Sequence, residues 1–212
     1  TWDLVVTDLR LPGVSGLDLP ALSAEDIADL QFVAANADIV SLSFTNTPDD
    51  VRELLHRLRE LGAEDVGVVL KIETRRGFEN LPAILLEALK SPACGVMIAR
   101  GDLAAECGFE RMAELQEEIL WICESAHVPV VWATQVLEGL TKRGHATRAE
   151  ITDAAMGQSA ECVMLNKGPY VADALQTLND ILQRMQDHQT KKRSMLRKLS
   201  LAADFTATRQ ES

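Results

Sequence analysis

The stretch Val66–Glu73, which reads VGVVLKIE, decides the fold because a run of apolar β-forming residues ends in a lysine and a glutamate. A second apolar run, Val96–Ala99, leads directly into Arg100–Asp102. Both runs have the pattern of a buried strand, and a helical pattern follows each of them. In parallel α/β proteins ligands bind at the carboxyl ends of the strands. The charged residues at these two strand ends therefore indicate a binding site.

Strand and helix patterns alternate along the rest of the chain. The predicted strands are Ile39–Phe44, Val66–Ile72, Gly95–Ala99, Val128–Ala133 and Cys162–Leu165. The predicted helices cover residues 23–36, 47–61, 80–90, 109–126, 147–159 and 171–186. This order predicts an α/β fold with about five parallel βα units. Such a number does not close a (β/α)8 barrel, and an open doubly wound sheet is the alternative, although no glycine-rich phosphate loop follows a strand.

The ends of the chain differ from its middle. Residues 1–22 combine a lead-in strand pattern at Trp2–Thr7 with a turn-rich link. We expect the main domain over residues 23–188 and a basic tail over residues 189–212. Because the chain starts on Thr1 with a strand pattern already in progress, we expect it to be a piece of a longer protein.

Composition narrows the class of protein. The 212 residues are 47% hydrophobic and 25% charged, which supports a globular domain with a sizeable core. A net charge of −11 argues against nucleic acid or an acidic membrane as partner. We see no signal peptide and no apolar run of membrane-spanning length, so we expect a cytoplasmic protein with reduced thiols. Cys123 and Cys162 lie in apolar patterns and are predicted to be buried.

The acids at the two strand ends predict a metal site. Glu73 and Asp102 each follow a strand, and parallel neighbours lie close enough for both carboxylates to reach one ion. Mg²⁺ commonly binds one or two carboxylates together with waters and substrate oxygens. Lys71 lies two residues before Glu73 and therefore points to the same face. A fixed ammonium there can stabilise a transferring phosphoryl group or an enolate. Taken singly, either acid has another explanation as a loop residue or a helix cap.

Two uncharged residues complete the candidate site. Gly101 allows close approach of the backbone to a ligand, and a helical turn starting there would present free N–H groups to a carboxylate. Thr134 follows the strand that ends at Ala133 and places a hydroxyl at the same edge. An ordinary residue at a strand end is the alternative for Thr134.

Several segments together resemble pyruvate kinase in their order and spacing. They are Leu11–Gly13 with Leu17–Leu22, Lys71–Glu73, Met97–Leu103 with Glu106, Ala133–Gln135 with Leu137 and Glu138, Thr147–Glu150 with Asp153, and Val163–Leu165. The resemblance implies a (β/α)8 TIM-type barrel, of which this chain holds roughly the last five βα units. It also implies phosphoryl transfer from phosphoenolpyruvate to ADP, giving pyruvate and ATP in glycolysis.

The resemblance assigns roles by motif. Glu73 and Asp102 would bind Mg²⁺ or Mn²⁺, and Lys71 would stabilise the phosphoryl and enolate charge. The backbone of Gly101 and Asp102 would hold the substrate carboxylate. Thr134 would lie near the enolate carbon that is protonated, and Ser43 resembles a family residue at the same edge. The K⁺ ligands, most nucleotide ligands, the lid domain and the first three strands would precede this chain.

The resemblance also leads to expectations about the whole protein. We expect a homo-oligomer when the protein is full length, and an isolated 212-residue chain that is inactive. Thr74 replaces the usual family Asn, and the segment Asn166–Tyr170 replaces a family Ser-Gly-Glu-Thr, which removes a carboxylate and adds Lys167. Two alternatives stay open: a Mg²⁺-dependent enolate-forming lyase or aldolase with a similar barrel, and a non-catalytic metabolite sensor.

Overall fold

The computed structural model describes residues 6–9 and 22–189, and it describes side-chain surroundings for residues 22–186. The strands among these residues form a single parallel sheet. The strands are β1 Val6–Leu9, β2 Ile39–Leu42, β3 Gly67–Ile72, β4 Cys94–Ala99, β5 Val130–Ala133 and β6 Cys162–Val163. Their order in the sheet is their order in the sequence, and every neighbouring pair is parallel. This is the arrangement of consecutive βα units in a (β/α)8 barrel, so the predicted fold class is confirmed. The open doubly wound alternative is not supported.

Helices connect the strands. They are α1 Ala24–Asn36, α2 Pro48–Glu60, α3 Arg75–Glu79, α4 Leu81–Ala88, α5 Arg100–Cys107, α6 Met112–Ser125, α7 Glu138–Arg143, α8 Arg148–Met156 and α9 Val171–Gln189, with 3-10 turns at Phe109–Arg111 and Gly157–Ser159. In the described part of the chain, every helix falls short of the length and apolarity that a bilayer crossing requires.

Capping residues explain where three helices begin. Ser23, Thr47 and Thr147 each accept the backbone N–H of the third helical residue, whose carboxylate accepts the cap's own N–H. This reciprocal arrangement satisfies two N–H groups that a helix start otherwise leaves without partners. The helix starts predicted at these residues are confirmed.

Other boundaries differ from the prediction. The helix predicted over residues 80–90 is observed as α4, which begins at Leu81 because Pro82 favours the first turn of a new helix. A short helix that the sequence did not predict, α3, precedes it and ends at Glu79. The helix predicted from residue 109 begins as a 3-10 turn after Gly108, whose φ of 96° ends α5. Strand β6 stops at Val163, two residues before the predicted end.

The first 22 residues also differ in part. The segment Val6–Leu9 pairs with β2, so the sheet has one strand more than the five predicted units. The predicted lead-in strand began at Trp2, and residues 2–5 lie outside the described residues. The turn-rich link over residues 11–16 and the basic tail from residue 190 also lie outside them.

Strand register decides which residues reach the carboxyl edge together. Leu42 pairs with Leu70, so the next residues, Ser43 and Lys71, lie side by side on one face. Similarly, Ala99 pairs with Ala133, so α5 and the turn after β5 start at the same level. On the opposite face of β3, apolar side chains are buried in a core that includes residues of β2, α1, α2 and α4.

The chain divides into two compact units, one of residues 1–135 with 160–164 and one of residues 136–159 with 165–212. The first unit contains the sheet and helices α1–α6. In the second unit, α9 packs against α7 and α8. The domain boundaries predicted from sequence remain a prediction.

Candidate active site

Lys71, Glu73 and Ser43 form a charged cluster at the carboxyl edge of β2 and β3. The Lys71 Nζ donates to the Ser43 Oγ at 2.9 Å and lies 3.2 Å from the Glu73 Oε1. The side chains of Lys71 and Glu73 are only 13% and 4% exposed. A partly buried ammonium with an acid and a hydroxyl beside it is held in a fixed position, which suits an anionic substrate.

The Glu73 carboxylate is held from a second side by the backbone. Phe44 has a φ of 49°, in the left-handed region that few non-glycine residues adopt, and its N–H donates to the Glu73 Oε2 at 2.5 Å. Burial raises the pKa of the Glu73 carboxyl above its ordinary value, although the Lys71 charge and the Phe44 N–H act in the opposite direction. The ionised form of Glu73 is therefore maintained in the folded protein at an energetic disadvantage.

Asp102 lies in the first turn of α5 and its side chain is exposed. Its negative charge contributes to raising the pKa of Glu73, which puts the two carboxylates within electrostatic range of each other. Within the described residues, no group of three or more His, Cys, Asp and Glu side chains could hold a metal ion. Two carboxylates nevertheless supply the oxygen donors that Mg²⁺ prefers in proteins. The residues present therefore fit such an ion.

Thr134 and Gly101 meet across the ends of β4 and β5. The Gly101 N–H donates to the Thr134 Oγ1 at 2.8 Å. A backbone donor at a helix start and a hydroxyl just after a strand end are therefore paired with each other at this edge of the sheet. The structure brings together the two residues that the sequence placed at this edge.

The backbone after β5 is strained at the Thr134 turn, which we define as Thr134 and Gln135. Their φ angles are 61° and 57°. The left-handed conformation costs roughly 1–2 kcal/mol for each such residue, and a β-branched residue adopts it rarely. Strain of this kind is often found at functional sites, where the surrounding structure enforces it.

Sequence reasoning missed two contributors to the site. Phe44 acts through its backbone N–H, and side-chain patterns carry no signal for such a role. Arg100 was read only as part of a charged strand end, yet it is 8% exposed and lies over the Trp132 ring at 4.7 Å from the centroid. An arginine that directly follows an apolar strand was the available signal.

The departure at Thr74 has a local structural role. Its hydroxyl donates to the Asn46 Oδ1 and accepts the Gly77 N–H at 2.9 Å, which caps α3. Asn80 donates to the Asn46 carbonyl at 2.8 Å. Thr74 therefore ties the segment after β3 to the segment after β2, immediately beside the charged cluster.

The second departure, Asn166–Tyr170, lies in the second unit and packs there against α7. A Cβ at Gly168 would overlap the Thr141 carbonyl, and the Tyr170 N–H donates to that carbonyl at 3.1 Å. The Lys167 side chain is exposed. The backbone of this segment is therefore fixed by α7, while the new cation faces solvent.

The cysteines divide by exposure. Cys123 is buried, as predicted, and burial raises the pKa of its thiol to about 12. Cys162 is exposed, so its predicted burial is wrong. The apolar pattern around Cys162 was misleading because β6 pairs only with β5 within the described residues and is therefore an edge strand.

Comparison with known proteins extends these observations. The family model for the barrel domain of pyruvate kinase matches residues 7–174 of this chain. That range contains the charged cluster, Asp102 and the Thr134 turn.

Individual relatives agree with the family match. A pyruvate kinase of Debaryomyces hansenii is 37% identical over 179 residues, covering 81% of this chain and 34% of the relative. A pyruvate kinase of Bacillus licheniformis is 33% identical over 186 residues, covering 84% and 31%. Pyruvate kinase 1 of Trypanosoma brucei brucei is 38% identical over 175 residues, covering 79% and 34%. The chain spans about a third of the length of these curated relatives.

Proposed function

This chain belongs to the pyruvate kinase family, and we propose that the protein carrying it transfers a phosphoryl group from phosphoenolpyruvate to ADP with Mg²⁺. The charged cluster supports this proposal best: a partly buried Lys71 ammonium lies 3.2 Å from the buried Glu73 carboxylate at the carboxyl edge of a parallel sheet. Family membership favours this reaction over the enolate-forming lyase or aldolase. The same pair of charges would be a poor choice for packing alone, because burying it is unfavourable.

Each residue of the candidate site has a separate role in the proposed phosphoryl transfer. Lys71 stabilises negative charge on the transferring phosphoryl group and on the enolate oxygen left behind. Glu73 and Asp102 would hold the divalent cation, which would supply positive charge to neutralise phosphoryl oxygens. The hydroxyl of Ser43 fixes the ammonium of Lys71 through their 2.9 Å hydrogen bond.

The other half of the reaction is protonation of the enolate. The backbone at the start of α5, at Gly101 and Asp102, orients the substrate carboxylate. Thr134 accepts the Gly101 N–H, which leaves its own hydroxyl hydrogen available for donation toward the substrate. We infer that Thr134 donates its proton on the side of the enolate where the methyl group of pyruvate forms.

The test is pyruvate and ATP formation by the full-length protein with Mg²⁺, phosphoenolpyruvate and ADP. Lys71→Met should lower kcat by about 100- to 1000-fold, the usual effect of losing a preorganised charge. Lys90→Met is the matched control, because Lys90 is a surface lysine whose side chain is 62% exposed. Lack of turnover by the native protein would refute the function and leave the sensor alternative. Equal rates for Lys71→Met and the native protein would remove Lys71 from the mechanism.

The isolated 212-residue chain supplies a second test. We propose that it has no turnover, because its match covers only 34% and 31% of two relatives and the nucleotide and K⁺ ligands would lie outside it. ATP formation by the isolated chain in the same assay would contradict this.

A further inference from the structure

Arg100 occupies the junction between β4 and α5 and reaches across to the end of β5. Its Nε donates to the Ala133 carbonyl at 2.9 Å, and its Nη2 donates to the Thr134 carbonyl at 2.6 Å. The guanidinium also stacks over the buried Trp132 ring. Three consecutive residues at the end of β5 thus contact one buried side chain.

These contacts act on the strained part of the site. Thr134 and Gln135 are both left-handed, and an isolated chain would relax away from that conformation. The planar guanidinium binds two successive carbonyls at once, which fixes the direction in which the backbone leaves β5. A lysine offers a compact point charge and cannot reproduce this fork together with the ring stacking.

The residue after Arg100 completes the arrangement. Gly101 donates its N–H to the Thr134 hydroxyl. Thr134 therefore accepts two hydrogen bonds, one from Arg100 at its carbonyl and one from Gly101 at its hydroxyl. Both bonds originate from the first turn of α5. The orientation of the Thr134 hydroxyl is therefore set by α5 and not only by its own strand.

We propose that Arg100 is a positioning residue that holds the Thr134 hydroxyl, through the strained Thr134 turn, in the orientation needed for enolate protonation. Arg100 touches no reacting atom in this account and acts only through Thr134. The role of Arg100 in enolate protonation rests on the proposed function. Its stabilisation of the Gly101–Thr134 hydrogen bond does not.

The first experiment tests the Gly101–Thr134 hydrogen bond without measuring activity. Hydrogen exchange of the full-length protein, measured by mass spectrometry on peptides covering residues 98–103, should be at least about 10-fold faster at the Gly101 amide in Arg100→Lys. Arg111→Lys is the control, because Arg111 pairs with Glu114 at the surface. Unchanged exchange at Gly101 in Arg100→Lys would overturn the proposal, even if the native protein proves inactive.

The second experiment reads the consequence for catalysis. Arg100→Lys should lower kcat by about 10- to 100-fold, the effect of misplacing a reacting group by about 1 Å, with a much smaller change in KM for phosphoenolpyruvate. In a Thr134→Ala background the same substitution should change kcat by less than about 2-fold, because interacting residues are not additive. If the kcat losses of Arg100→Lys and Thr134→Ala multiply in the double variant, Arg100 does not act through Thr134 and the proposal is overturned.

Discussion

The charged cluster and the Thr134 turn lie at the same edge of one sheet but are held there by different physics. In the charged cluster, side-chain charges are buried, and the raised pKa of Glu73 shows that desolvation outweighs the attraction of Lys71. In the Thr134 turn, the backbone is strained and is fixed by hydrogen bonds from Arg100 and Gly101. Both regions hold an unfavourable state that the rest of the fold stabilises. Such sites are commonly kept for function at the expense of stability.

The largest expected effect belongs to Glu73→Gln. Glutamine has the shape of the acid and keeps an acceptor for the Phe44 N–H, but it removes the charge. We expect kcat/KM of the full-length protein to fall about 100- to 1000-fold, while the midpoint of thermal unfolding is not lowered. Glu114→Gln, which neutralises an exposed acid paired with Arg111, is the control. A large loss of stability in Glu73→Gln would mean that the cluster is structural.

Thr134→Val tests the second region. Valine keeps the β-branched shape but removes the hydroxyl, so the Gly101 N–H loses its acceptor. We expect unfolding free energy to fall by about 1 kcal/mol and kcat to fall by at least about 10-fold. Denaturant unfolding and steady-state kinetics measure the two effects. Thr134→Ser, which retains the hydroxyl, should recover most of both, and failure of this rescue would count against a role for the hydroxyl.

Gln135→Gly separates strain from side-chain chemistry. Gln135 is exposed and left-handed, and glycine adopts its φ of 57° without strain. We expect the substitution to raise unfolding free energy by about 1 kcal/mol. Gln116→Gly, placed inside α6, should instead lower it by about 1 kcal/mol. A loss of stability in Gln135→Gly as large as that of the control would show that the Thr134 turn stores no strain.

The smallest expected effect concerns Glu150, which lies outside both regions. Its pKa is lowered, whereas that of Glu73 is raised. Burial acts to raise the pKa of Glu150, but the N–H groups of Thr147 and Gly139 outweigh it and lower the pKa below its ordinary value. The stabilisation from Glu150 is therefore present above the ordinary pKa of an unfolded glutamate and is lost as pH falls through the lowered value. Glu150→Gln should reduce stability by about 0.5 kcal/mol at neutral pH.

Stability measured between neutral and acidic pH checks this last prediction. The difference between the native protein and Glu150→Gln should shrink as the pH falls. Glu124→Gln is a suitable control, because removing an acid near the end of α6 should stabilise slightly. A difference that grows toward acidic pH would contradict the assignment.

The sequence predicted the charged cluster better than the Thr134 turn, and the reason is physical. Alternation along a strand places Lys71 and Glu73 on one face, and capping boxes mark the helix starts, because both depend on local residue type. The left-handed Thr134 receives a hydrogen bond from Arg100, which lies 34 residues away in sequence. A threonine has no preference for the left-handed conformation, so the residue type at position 134 did not predict it.

The same distinction explains the remaining differences. The additional helix α3 and the short β6 depend on which neighbours each segment meets, and a periodic apolar pattern does not record those neighbours. Exposure of Cys162 follows from an edge position in the described sheet, which the sequence alone did not indicate.

We propose that the carboxylates of Glu73 and Asp102 together hold the divalent cation beside Lys71. Mn²⁺ binding to the full-length protein, followed by electron paramagnetic resonance, tests it without depending on turnover. We predict that Glu73→Gln and Asp102→Asn each weaken Mn²⁺ affinity by at least about 10-fold, while Glu114→Gln leaves it unchanged. Native affinity retained in both Glu73→Gln and Asp102→Asn would contradict the account.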